Sequence, residues 1–162
     1  MIKKFNEFLY ENFKDDIIFT DITHEKSFNF LKMKNLSEEE QHEITKEFYS
    51  KKNKRCYIHY SGRYEPEFYV YDADELDKLL DTTNSRMIDT IGGAIFDTRQ
   101  LHKKGYFTGY TFNNSIDVKV NRKREGIATA ITVFAEKILK GKYRPCNVLS
   151  DEMQCFVKNY LQ

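Results

Sequence analysis

The stretch from Ile116 to Leu139 constrains this chain most, because its hydrophobic period changes partway along. Ile116, Val118 and Val120 are apolar, with Asp117 and Lys119 between them. That is the alternation of a strand. A basic turn follows, Arg122-Lys123-Arg124, and then a single glycine, Gly126. Beyond it Ile127, Ile131, Phe134, Ala135 and Ile138 recur at helical spacing and share one face. The pattern predicts a strand that runs through a short basic turn into a buried helix.

Such a junction has a chemical use. The first N–H groups of a helix have no partner inside it, and they lie at the positive end of the macrodipole. A glycine there lets a phosphate come close to the backbone, so the turn is a candidate anion site. Arg122, Lys123 and Arg124 would add positive charge around it. The other reading is an ordinary strand-to-helix connection whose basic residues are solvated. One glycine leaves both readings open.

The residues Lys123-Arg-Glu-Gly126-Ile-Ala128-Thr129-Ala resemble the acetyl-CoA-binding signature of the GNAT superfamily of N-acetyltransferases. That signature is Arg or Gln, two residues, Gly, one residue, then Gly or Ala. Gly126 and Ala128 match it, and Lys123 stands where the family has Arg or Gln. A second family feature is a short strand followed by a small polar residue that opens a helix. It is matched by Asn147 to Ser150 and the run from Asp151 to Tyr160. The resemblance spans roughly residues 110–160. It implies that the pyrophosphate of acetyl-CoA rests on amides of Arg124, Glu125, Gly126, Ile127, Ala128 and Thr129, with Lys123 and Ser150 nearby. It also implies that the pantetheine arm pairs with backbone at Asp117 and Val118.

Elsewhere the chain reads as one domain of 162 residues. Two prolines and seven glycines argue against low complexity. A formal charge of +1 counts against a nucleic-acid binder, although basic residues cluster at 51–55 and 122–124. Cys56, Cys146 and Cys155 are scattered, and no Cys or His pair has zinc-ligand spacing. Free thiols in a reducing, cytoplasmic compartment and no metal are therefore expected. The polar start, Ile2-Lys-Lys-Phe-Asn-Glu, does not open a secretory signal, and no run approaches membrane-spanning length.

Residues 2–14 carry Ile2, Phe5, Phe8, Leu9 and Phe13 on one face, which predicts an amphipathic helix. A short strand is expected over 17–22 and a helical turn or two around Phe28 to Leu31. Ser37 with Glu40 forms a capping box. It predicts a helix to about Ser50, with Ile44 and Phe48 inward and the basic run Lys51 to Arg55 closing it. Residues 55–60 and 67–71 read as a β-hairpin, with His59 at mid-strand. Asp72-Ala-Asp-Glu75 opens a short helix to about Leu80. The apolar run Met87 to Phe96, broken by Gly92-Gly93, reads as a strand with a kink or a close backbone approach. Tyr106 to Tyr110 is a further strand. Gly141 suits a helix C-cap, Cys146 to Leu149 a buried strand, and Ser150 the N-cap of a last helix.

This order predicts an α/β domain over 1–162, with a mixed, mostly antiparallel sheet flanked by helices. Helices would occupy about 2–50 and the CoA-binding core about 87–160. The layout fits the GNAT family, in which the sheet splays between two strands and acetyl-CoA lies in the split. The expected activity is transfer of an acetyl group from acetyl-CoA to an amine of a protein, peptide or small molecule. The family's tyrosine, which protonates the departing thiolate, would fall at Val157. Tyr160, one turn further along, is the candidate in its place. The place of the family's glutamate base is near Phe112, and Asp117 should face the other way. The alternative is a non-catalytic domain of the same fold that works by contacting a partner protein, with a homodimer as one form of it.

Overall fold

A computed structural model describes residues 13–32, 43–62, 65–82, 88–109, 116–145 and 158. Among these residues the strands are β1 (Glu43–Tyr49), β2 (Arg55–Ser61), β3 (Glu67–Asp72), β4 (Gly92–Asp97), β5 (Tyr106–Gly109), β6 (Asp117–Val118) and β7 (Lys142–Tyr143). The helices are α1 (Glu25–Leu31), α2 (Ala73–Asp81), the short α3 (Leu101–Lys104) and α4 (Ile127–Leu139). One sheet runs β1-β2-β3-β4-β5-β7, with β6 on β4. Its pairings are antiparallel except β5 with β7, which is parallel. The α/β class and the mixed sheet are as the sequence predicts.

The first correction concerns residues 43–50, expected to be helical. They form β1, which pairs with β2 over its whole length, from Glu43 opposite Ser61 to Tyr49 opposite Arg55. Phe48 is buried as expected, but Ile44 is exposed. Ile44, Thr45, Phe48 and Tyr49 are β-branched or aromatic and suit a pleated surface. A seven-residue ladder outweighs a capping signal that acts only locally. Ser37 and Glu40 themselves lie outside the described residues. The basic run 51–55 is accordingly a hairpin turn rather than a helix end. Ser50 N–H donates to Lys54 C=O at 2.8 Å, and Asn53 takes φ 59°.

The β2–β3 hairpin and α2 form as predicted, with the Asp72 side chain accepting from Glu75 N–H as the N-cap. The expected strand at 17–22 is reduced to a single bridge, Thr20 to Glu47. Residues 13–16 are helical and 2–12 lie outside the described set. So do 110–115, Cys146 to Leu149 and Ser150 to Val157, while Lys158 is helical. The close approach expected at Gly92 is present. A Cβ there would lie 2.8 Å from Ile127 Cγ2 and 3.1 Å from Asp117 C=O.

Strand alternation divides the core between two faces. On one face α4 packs Ile127, Ala130, Ile131, Phe134 and Ala135 against Ile58, Phe68, Val70, Ala94 and Phe96. Phe134 meets Phe68 edge-on at 6.0 Å between ring centres. On the other, Tyr57 packs with Leu31 of α1 and with Ala73 and Leu76 of α2. Burying α4's apolar face at about 25 cal/mol per Å² makes it a principal source of stability.

Candidate functional site

The site grows from β6. Asp117 and Val118 pair with Gly93 and Gly92 of β4. β5 lies along the same edge, with Gly109 opposite Phe96. β6 does not continue as a strand through Val120, as the alternation predicts. A 3₁₀ turn, Val120–Arg122, follows instead, and Val120 is 81% exposed. Arg124 and Gly126 then both take left-handed backbone, at φ 66° and 78°. The first turn of α4 closes with Ala130 N–H donating to Gly126 C=O at 2.9 Å, and its N-cap, Gly126, has no side chain with which to cap it. A strand, a basic turn, a glycine and an uncapped helix start are therefore present in that order. The early helical amides are the groups an anion would use.

The side chains of the turn divide sharply. Arg124 is exposed and Lys123 half-buried. Arg122, expected to lend charge to the outside, is buried and points inward. Its Nε and Nη2 donate to the Glu125 carboxylate at 2.6 and 3.1 Å, and its Nη1 donates to Asp72 Oδ2 at 2.6 Å. Glu125 is fully buried. Its carboxylate also accepts from Ser50 Oγ at 3.2 Å, and its C=O accepts from Lys51 N–H at 2.7 Å. Burial alone would lower the Arg122 pKa. The bonds to Glu125 and Asp72 outweigh that and raise it, so the guanidinium stays charged. Asp72 thus has two tasks: Oδ1 caps α2 and Oδ2 holds Arg122.

Beside this network lies Cys56, its Sγ 3.9 Å from Arg122 Nη2. Burial pushes its thiol up to about 12, with Arg122 only partly offsetting. It is a packed thiol, not a nucleophile at neutral pH. Phe13 lies against Gly126. A Cβ on Gly126 would sit 2.1 Å from Phe13 Cε1. The glycine therefore answers both a positive φ and an aromatic contact.

A groove of ≈ 1040 Å³ opens along β4 and β6. It is lined by Asp117, Val118, Lys119 and Val120 together with Tyr69, Gly93 and Ile95. Burial and a hydrogen bond to Glu67 push the Tyr69 phenol up to about 12. Two expected contacts of the pantetheine arm, Asp117 and Val118, thus line a groove. Of the expected phosphate contacts, Gly126, Ile127 and Thr129 are buried and Ala128 half-buried. Tyr160, Ser150, Val157 and Phe112 lie outside the described residues. The sequence reading missed Asp72, Ser50 and Phe13 as partners of the turn. Nothing local marks a contact between residues 50 or more positions apart.

A second polar cluster resembles a hydrolytic triad only by residue type. Ser27 Oγ and Tyr57 Oη donate to Asp77 Oδ1 at 2.5 and 2.6 Å, and Arg55 pairs with Asp77 Oδ2. His24 Nε2 pairs with Asp81 at 3.2 Å, and its Nδ1 accepts from Ser27 N–H. Ser27 is fully buried and donates to a carboxylate, not to the imidazole. The cluster joins α1 to α2 and β2 and has no nucleophile poised on a base. Among the described residues no group of His, Cys, Asp and Glu could hold a metal ion, and no helix is long and apolar enough to cross a membrane. No family model, curated protein or solved structure matches the chain.

Proposed function

We propose that this protein is an acyl-CoA-dependent N-acetyltransferase of the GNAT type, acting on an amine of a protein, peptide or small molecule. One observation carries the reading. The strand edge at Asp117–Val118 leads through a basic turn to an uncapped helix start at Gly126, and the helix returns to β7, parallel to β5. A diphosphate has amides to rest on at the helix start. An amide-bearing arm has the strand edge and its groove beside it. Lys123 and Arg124 supply charge, while Arg122 serves the turn from within.

In this reading the acceptor nitrogen, as the free amine, attacks the thioester carbonyl carbon. The C–N bond forms, the C–S bond breaks, and CoA leaves as a thiolate. The ammonium proton passes to water, and the thiolate takes a proton from Tyr160 or from solvent. Holding amine and thioester together supplies much of the rate. The test is release of free CoA thiol from acetyl-CoA over a panel of polyamines, amino sugars and lysine peptides. Amine-dependent release supports the reading, and its absence across the panel rejects the enzyme.

One contact favours the second reading, a partner-binding domain of the same fold. Phe13 fills the space beside Gly126, so that glycine has a packing reason that needs no phosphate. Tight acetyl-CoA binding without turnover on any amine would move the weight to that reading.

A further inference from the structure

We infer that His24 is a pH-operated latch between α1 and α2. Neutral, its ring caps α1; protonated, it releases the cap and pairs with Asp77. The latch is independent of the acetyl-CoA reading. His24 is the N-cap of α1, in extended backbone, and its Nδ1 accepts from Ser27 N–H at 3.1 Å. A neutral imidazole has one donor nitrogen and one acceptor. Because Nδ1 accepts, the proton of the neutral ring is on Nε2, which donates to Asp81 Oδ2 at 3.2 Å. The usual N-caps, Ser, Thr, Asp and Asn, keep their acceptor near neutral pH. A histidine loses it on protonation, when both ring nitrogens become donors.

The second position of the latch is already in place. Asp77 Oδ1 lies 3.5 Å from Nδ1, against 3.1 Å to Ser27 N. Ser27 links the two positions, since its Oγ donates to the same Asp77 oxygen at 2.5 Å. A proton on Nδ1 would face the Ser27 N–H, so the ring has to turn toward the carboxylate. Ser27 is fully buried, and a buried N–H that loses its acceptor is costly. That cost is felt in the first turn of a seven-residue helix, which is too short to hold without its packing. The surrounding charges suit the protonated ring. Asp77 and Asp81 face it from α2. On α1, Glu25 follows it and Lys26 reaches Asp81 at 3.5 Å. From β2, Arg55 pairs with Asp77 Oδ2 and Tyr57 Oη donates to Oδ1 at 2.6 Å. Burial alone would raise the Asp77 carboxyl, but Ser27, Tyr57 and Arg55 hold it below the usual range. It is therefore a carboxylate wherever a histidine titrates.

The experiment is an NMR titration of the parent from about pH 8 to pH 5. It follows the His24 ring nitrogens, the Ser27 amide, the Asp77 carboxyl carbon and the Cα shifts of residues 25 to 27. At the alkaline end the ring should be the Nε2–H tautomer. As the ring titrates, the Ser27 amide proton should move upfield and the Cα shifts of 25 to 27 fall toward coil values. Both should share the ring's midpoint, and the Asp77 carboxyl carbon should follow them. His24→Asn, which caps without titrating, should hold Ser27 and the Cα shifts constant across the range. A merely structural histidine would titrate with the Ser27 amide proton still downfield and helical Cα shifts retained, and that result overturns the inference. So does an Nδ1–H tautomer at the alkaline end, a ring that stays neutral throughout, or parental pH dependence in His24→Asn. The parent titration needs no substitution, so it decides the matter if the variant fails to fold.

Discussion

Gly126 shows how one residue can serve several demands. Its φ of 78° and the Phe13 ring 2.1 Å from any added Cβ both exclude a side chain. Gly126→Ala should therefore destabilise the fold by more than the ~1 kcal/mol of an ordinary Gly-to-Ala mismatch at positive φ. Removing the ring should relieve part of that cost. In a double-mutant cycle with Phe13→Ala, a coupling of about 0.5–3 kcal/mol is expected from chemical denaturation. Additive effects would mean that the two residues do not touch in solution.

At the scale of elements, α4 was legible because its signal is long and periodic. Ile127, Ile131 and Phe134 are buried and Ile138 packs against the core at partial exposure, as the spacing predicts. Phe134→Ala should cost on the order of 3–5 kcal/mol, as for other buried aromatics. An unchanged melting temperature would contradict the packing of α4 on the sheet. The β2–β3 hairpin and α2 were legible for similar reasons: alternation, and a cap beside its own helix. β1 was not. A capping box is read from four neighbouring residues, whereas β1 is fixed by pairing with β2 and by burial of Phe48. The inward turn of Arg122 was equally hidden. A sequence ranks Arg122, Lys123 and Arg124 alike, and only the fold brings Asp72 to one of them.

At the scale of the whole molecule, His59 links burial to pH. Burial pushes its imidazole below the usual histidine range, and the carboxylate of Glu43 offsets this only in part. The Glu43 carboxylate lies 3.8 Å from Nε2, and Nδ1 is buried with no hydrogen-bond partner. The unfolded chain binds that proton near pH 6.5, about the free histidine value, and the folded chain only at lower pH. Stability from this group is therefore complete above that pH and falls as pH drops through it. Replacing His59 with Gln should flatten the decline in melting temperature between about pH 7 and pH 5. An equal slope in parent and variant would remove His59 as its source. A separate loss belongs at more acid pH. The Asp77 carboxyl, which burial alone would raise, is held low by Ser27, Tyr57 and Arg55. Its stabilisation is present above the free carboxyl range and is lost as pH falls from that range through the lowered value.

The claim on which the functional account turns is that the unmodified helix start receives the diphosphate of acetyl-CoA. Backbone amide NMR of the parent during an acetyl-CoA titration tests it without a substitution. The account predicts the largest shifts at the amides of residues 124 to 129, with smaller shifts at Asp117 and Val118 along the groove. Saturable shifts confined to other residues, with 124 to 129 unmoved, or no shifts at all at millimolar acetyl-CoA, would contradict it.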